Sequence, residues 1–139
     1  PVRHLLPYWK TSNRYLFSGG SVNMRDAAVY AKEENWSKAV ELWKQTYETK
    51  KGKQKMYAAY NTALGYEMQD SIDTALEWAL KAQTLAREKS KTDKKETGEI
   101  HNGTISYYIF ISMYVDELEK RKEGMARLNM QMNRFDDDF

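Results

Sequence analysis

The chain has 139 residues, 30% of them charged and 13% aromatic, with a net charge of +2. That length is enough for one domain with a real core. The composition suits a folded, helix-rich protein better than an intrinsically disordered one. So small a net charge gives no field that points to nucleic acid. Cysteine is absent, which excludes disulfides and thiolate chemistry and leaves the redox compartment open. With His4 and His101 as the only histidines and no cysteine, a zinc site of the usual nitrogen–sulfur kind is not expected. The longest apolar run, residues 105–115, is too short to span a bilayer. The chain begins at Pro1, which reads as a mature or truncated product.

Residues 1–22 have no helical period and are punctuated by Pro1, Pro7, Gly19 and Gly20. Arg14 to Phe17 has the composition of a strand, but one strand cannot make a sheet. This segment is expected to be an extended arm. From Asn23 a helical period sets in, with Ala27, Tyr30 and Ala31, then Trp36, Ala39, Val40, Trp43 and Tyr47. The break between these helices falls at Glu34–Asn35. A second pair follows, broken at Gln69–Asp70. Ser37 and Ser71/Asp73 are the expected caps of the two second helices.

The pairs superpose at an offset of 36 residues: Ala27 on Ala63, Tyr30 on Tyr66, Ala39 on Ala75, Glu41 on Glu77. This is an internal repeat of helix pairs, the signature of a stacked α-solenoid. Its alanines have a physical purpose. Antiparallel helices come close only where small side chains face each other, so Ala63 and Ala75 are expected at the contact within one unit. Ala82 would admit the next unit, with Trp43 and Trp78 as large partners. Residues 89–103 read as a polar, basic loop ending in "HNG". Beyond it, Leu118, Met125 and Met132 recur every seven residues with Leu128 between them, so residues from about 104 to 133 are expected to form one or two capping helices.

The repeated positions resemble the tetratricopeptide repeat, a 34-residue helix–turn–helix unit. Ala63, Tyr66, Ala75, Ala79 and Ala82 in one unit, and Ala27, Tyr30, Ala39, Trp43 and Thr46 in the other, stand where that family places its small, aromatic and large residues. The likeness covers about residues 23–88. It departs from the family in unit length and in lacking the helix-ending proline. The fold it implies is all-α: repeat 1 over about 23–49, repeat 2 over about 54–89, and capping helices over about 104–133, within a helical domain 23–139. The wider pattern, from "PYW" and "NRYLFSGG" to "LNMQM", looks like the C-terminal half of a group of Bacteroidales cell-envelope proteins. That likeness suggests an envelope or periplasmic setting and implies no known activity.

The resemblance places Lys32, Tyr57, Tyr60, Asn61, Leu64 and Met68 on the groove side of the first helices, a candidate seat for a peptide. The family's clamp for a peptide carboxylate matches only at Asn61, because Met24 and Ala28 stand where polar residues are needed. The alternative is that these residues pack under the N-terminal arm or the C-terminal helix.

Other constellations are thin. Pro1 could act as a base in a tautomerase-like site, but it heads an irregular arm. His101 beside Glu99 is an isolated loop pair. Asp136 to Asp138 lack the spacing of a calcium loop, and the sequon at Asn102 carries no weight. The lysine runs Lys50–Lys55 and Arg87–Lys95 should emerge on one edge. They read as solvated connectors or as a ridge for an anionic partner or membrane surface. The expectation is a non-enzymatic repeat module, without cofactor or metal, that binds a protein or peptide or docks an upstream domain. Assembly as a homodimer through the C-terminal helix is the alternative.

Overall fold

A computed structural model describes residues 5–9, 13–92, 98–100 and 103–137, with side chains over 14–89 and 106–134. Five helices carry the fold: α1 (Val22–Lys32), α2 (Trp36–Thr49), α3 (Lys53–Met68), α4 (Ile72–Thr92) and α5 (Tyr107–Asp137). Two antiparallel hairpins flank them, β1 (Leu5–Trp9) with β2 (Asn13–Phe17), and β3 (Gly98–Ile100) with β4 (Gly103–Ile105). Consecutive helices pack on one another, so α3 lies between α2 and α4, and α5 covers α4; β2 lies on α3.

The 36-residue repeat reappears in backbone detail. At the end of α1 the Asn35 N–H reaches the Tyr30 carbonyl and the Glu34 N–H the Ala31 carbonyl, both at 2.9 Å. At the end of α3 the Ser71 N–H reaches Tyr66 and the Asp70 N–H reaches Glu67, again at 2.9 Å. Both are Schellman-type closures, which need a left-handed residue just past the helix. Glu34 (φ 60°) and Asp70 (φ 63°) occupy that position without being glycine. Ser71 precedes α4, but α2 is capped by Asn35, whose side chain accepts from the Lys38 N–H at 3.3 Å. The expected cap Ser37 lies inside the helix and donates to Gln69 across the turns instead.

Ala27, Ala39, Ala63, Ala75 and Ala82 are all fully buried, as is Trp43. Gly65 marks a close approach of α2 to α3. A Cβ there would stand 2.3 Å from Val40 Cγ2 and 3.3 Å from Trp43, so α2 can sit against α3 only because that residue has no side chain. Ala63 and Ala75 are buried as expected, and the approach of α2 to α3 rests on a glycine that the repeat pattern does not contain, because its counterpart in unit one is Val29.

Two segments differ from expectation. The arm expected over residues 1–22 is a hairpin in its described part. Pro7, which argues against a strand, sits opposite Tyr15. The backbone of Phe17 turns away from β1 toward α3, and by alternation so does that of Tyr15, so the missing proline N–H falls at a non-hydrogen-bonded pair. At the other end α4 continues to Thr92, and the expected loop holds the short β3–β4 ladder. Thr104 and Ile105 belong to β4; the capping helix starts at Tyr107, where Ser106 Oγ accepts from the Ile109 N–H at 3.1 Å. It is a single helix of 31 residues.

Candidate functional site

The six groove residues divide on folding. Lys32 is exposed in the last turn of α1 and joins none of the contacts below. Tyr57, Tyr60, Asn61, Leu64 and Met68 lie along α3, and Asn61 and Leu64 are fully buried. What covers this face is the chain itself. Asn61 uses its whole amide on one residue of β2: its Oδ1 accepts from the Phe17 N–H at 2.9 Å, and its Nδ2 donates to the Phe17 carbonyl at 2.7 Å. The Tyr60 hydroxyl donates to the Tyr15 carbonyl. Side chains of α3 thus supply β2 with the hydrogen bonds that another strand would offer its outer edge.

The Phe17 side chain fills an aromatic cage between α3 and α5. It stacks on Tyr57 with ring centroids 4.1 Å apart and meets Tyr60, Tyr107 and Phe110 edge-on. Tyr57 and Tyr107 are joined through their hydroxyls at 2.9 Å. Such pairs contribute about 0.5–1.5 kcal/mol each beyond area burial.

One turn on from Leu64, Glu67 collects three partners from two other elements, β2 and α5. Arg14 of β2 grips both carboxylate oxygens, with Nε 3.0 Å from Oε1 and Nη2 3.0 Å from Oε2. The Tyr114 hydroxyl of α5 donates to Oε1 at 2.8 Å, and Arg121 of α5 donates to Oε2. The Glu67 side chain is 1% exposed. Burial pulls its carboxyl upward, but the Arg14 guanidinium, the Tyr114 hydroxyl and Arg121 outweigh this and hold it below the usual carboxylate value. Burial pushes the Tyr60 and Tyr114 hydroxyls well above the ordinary tyrosine value. Glu67 is thus a buried anion, paired on both oxygens, that ties β2 and α5 to α3.

A cleft of about 170 Å³ remains beside β2, lined by Arg14, Tyr15, Tyr60, Phe110, Met113, Tyr114 and Glu117. It is small against the roughly 300–1,000 Å³ of small-molecule sites. Among the described residues no three His, Cys, Asp or Glu side chains gather where they could hold a metal ion. No described helix is long and apolar enough to cross a membrane. Pro1, His101 and the side chains of Asp136 to Asp138 lie outside the described residues, as do residues 93–95 of the second lysine run.

Sequence reasoning found the α3 residues and missed Arg14, Phe17, Glu67, Tyr114 and Arg121. Arg14 and Glu67 are 53 positions apart. A usable signal was the strand-like composition of residues 14–17, which puts Arg14 and Phe17 on one short segment.

Residues 25–120 match a protein family described as a domain of unknown function (DUF6340). No curated protein and no solved structure matches the chain.

Proposed function

The chain therefore belongs to the DUF6340 family, and we propose that its helices form a non-enzymatic, tetratricopeptide-like solenoid whose α3 face binds an extended protein segment, in this chain its own strand β2. One observation carries the reading: the bidentate pairing of the buried Asn61 amide with the Phe17 backbone. Recognition through main-chain N–H and C=O reads extension, and an aromatic cage for one side chain adds selectivity, which is how peptide-binding surfaces divide the work. The groove is thus a docking seat for the segment preceding the repeats. Cutting the chain in the 18–20 connection and exchanging the hairpin against a labelled copy of residues 1–17 tests this. The labelled hairpin should be retained at micromolar concentration, and Asn61→Ala should weaken it about tenfold, the worth of a buried hydrogen bond pair. A hairpin that washes off both proteins alike sinks the reading.

Assembly through α5 is a second reading with its own observation. Met125, Leu128 and Met132 are exposed, and they continue along α5 the stripe of Ile111 and Leu118, which is buried within the domain. Light scattering at micromolar concentration should then give a dimer that Leu128→Glu dissolves; a monomer throughout rejects it.

A further inference from the structure

The seam between α2 and α4 carries an unusual arrangement of like charges, on different residues from the β2 seat and independent of it. Tyr47 and Trp78 meet edge to face with centroids 5.0 Å apart. Three lysines surround them. Lys81 Nζ lies 4.1 Å from the Trp78 ring centroid and Lys55 Nζ lies 4.7 Å from that of Tyr47. Lys44 Nζ sits 5.8 Å from the Trp78 ring and donates to the Tyr66 hydroxyl at 2.8 Å. Carboxylates are at hand and go unused. Glu48 is one turn from Lys44, and Glu77 precedes Lys81 by four residues in the favourable orientation. Neither pair closes to the 4.0 Å of an ion pair among the described residues. All three ammonium groups thus lie within 6 Å of one of two touching rings, and none of them closes an ion pair with its helical carboxylate among the described residues.

We propose that this seam is a seat for a phosphate-type oxyanion carrying two negative charges. Three ammonium groups around one pair of touching rings suit a compact dianion better than a single carboxylate, and lysine binds phosphate as a point charge. The Tyr66 hydroxyl, which already accepts from Lys44, keeps its O–H to donate to the anion. The indole of Trp78, 8% exposed, borders the seat and reports on it.

The test titrates inorganic phosphate into the full chain at constant ionic strength, with chloride as the reference, and follows amide and indole NMR shifts. Saturable shifts should centre on Trp78, Tyr47 and the three lysines. Lys81→Gln should weaken binding about tenfold, as loss of a charge-assisted hydrogen bond does, and the triple change Lys44→Gln, Lys55→Gln, Lys81→Gln should abolish it. Lys38→Gln, which removes a lysine placed over Tyr30 instead, should leave binding unchanged. Sedimentation with phosphatidylcholine vesicles, with and without phosphatidic acid, separates a lipid headgroup from soluble phosphate as the source. Equal shifts with chloride, or a triple variant that still binds, would overturn the proposal.

Discussion

The two helix pairs share a turn and a set of alanines, yet they use their first helices differently. α1 buries four side chains, Met24, Ala27, Ala28 and Ala31, all apolar. α3 buries ten residues, including Asn61, Thr62 and Glu67. At the 36-residue offset Asn61 corresponds to Arg25, which is exposed and reaches only the Gly20 carbonyl, and Glu67 corresponds to Ala31. The difference comes from position. α3 is flanked by α2, α4 and β2, so polar groups there must find protein partners, whereas α1 keeps a face open to water. A repeat sets the packing contacts, and its neighbours decide which copy acquires a polar site.

The largest break in this comparison should come at Glu67. Glu67→Ala leaves Arg14 and the Tyr114 hydroxyl without their shared partner and should cost about 3–5 kcal/mol in urea unfolding, with α5 and β2 amides losing hydrogen-exchange protection together. The same carboxylate sets an acid limb. Its native value lies below the unfolded one, so its stabilisation is complete above the unfolded glutamate value near pH 4.3 and is lost as pH falls through the native value. Glu67→Gln should be less stable at neutral pH and should flatten that limb in a plot of stability against pH. Tyr60 and Tyr114 act at the other end. Their raised values make stability fall above about pH 10, and Tyr114→Phe should shrink this alkaline loss.

Smaller effects sharpen the contrast. Gly65→Ala drives a methyl into Val40 and should cost about 1–3 kcal/mol by thermal unfolding. At its unit-one counterpart, exposed Val29, alanine should be nearly silent. Asn61→Ala should cost about 1–3 kcal/mol, because the Phe17 N–H and carbonyl remain buried without partners, while Arg25→Ala should stay within about 0.5 kcal/mol. The turns should respond alike: Glu34→Gly and Asp70→Gly each relieve a left-handed backbone and should stabilise by up to about 1 kcal/mol. A clear difference between them would mean that the contact of Asp70 with Arg121 at 3.9 Å matters despite its exposure.

Much of the helical framework could be read in advance because its causes are local. Alanine spacing, tyrosines in step and polar breaks at Glu34–Asn35 and Gln69–Asp70 act within a few turns of chain. The seat on α3 was half readable. Tyr57, Tyr60 and Asn61 stood out as polar and aromatic groups on one helix face, but their occupant did not. Pro7 hid the partner strand, since nothing local indicates that its missing N–H would fall at a position needing none.

By itself, then, the sequence determined that two helix pairs follow one another, that they break at Glu34–Asn35 and Gln69–Asp70, and which alanines they bury, because those preferences are written in neighbouring side chains. The tertiary structure alone decided that Arg14, Glu67, Tyr114 and Arg121 share one buried carboxylate and that Phe17 closes the α3 face. A buried charge can be neutralised by any opposite charge that the fold brings within reach, so its partner is chosen by how elements far apart in the chain come together.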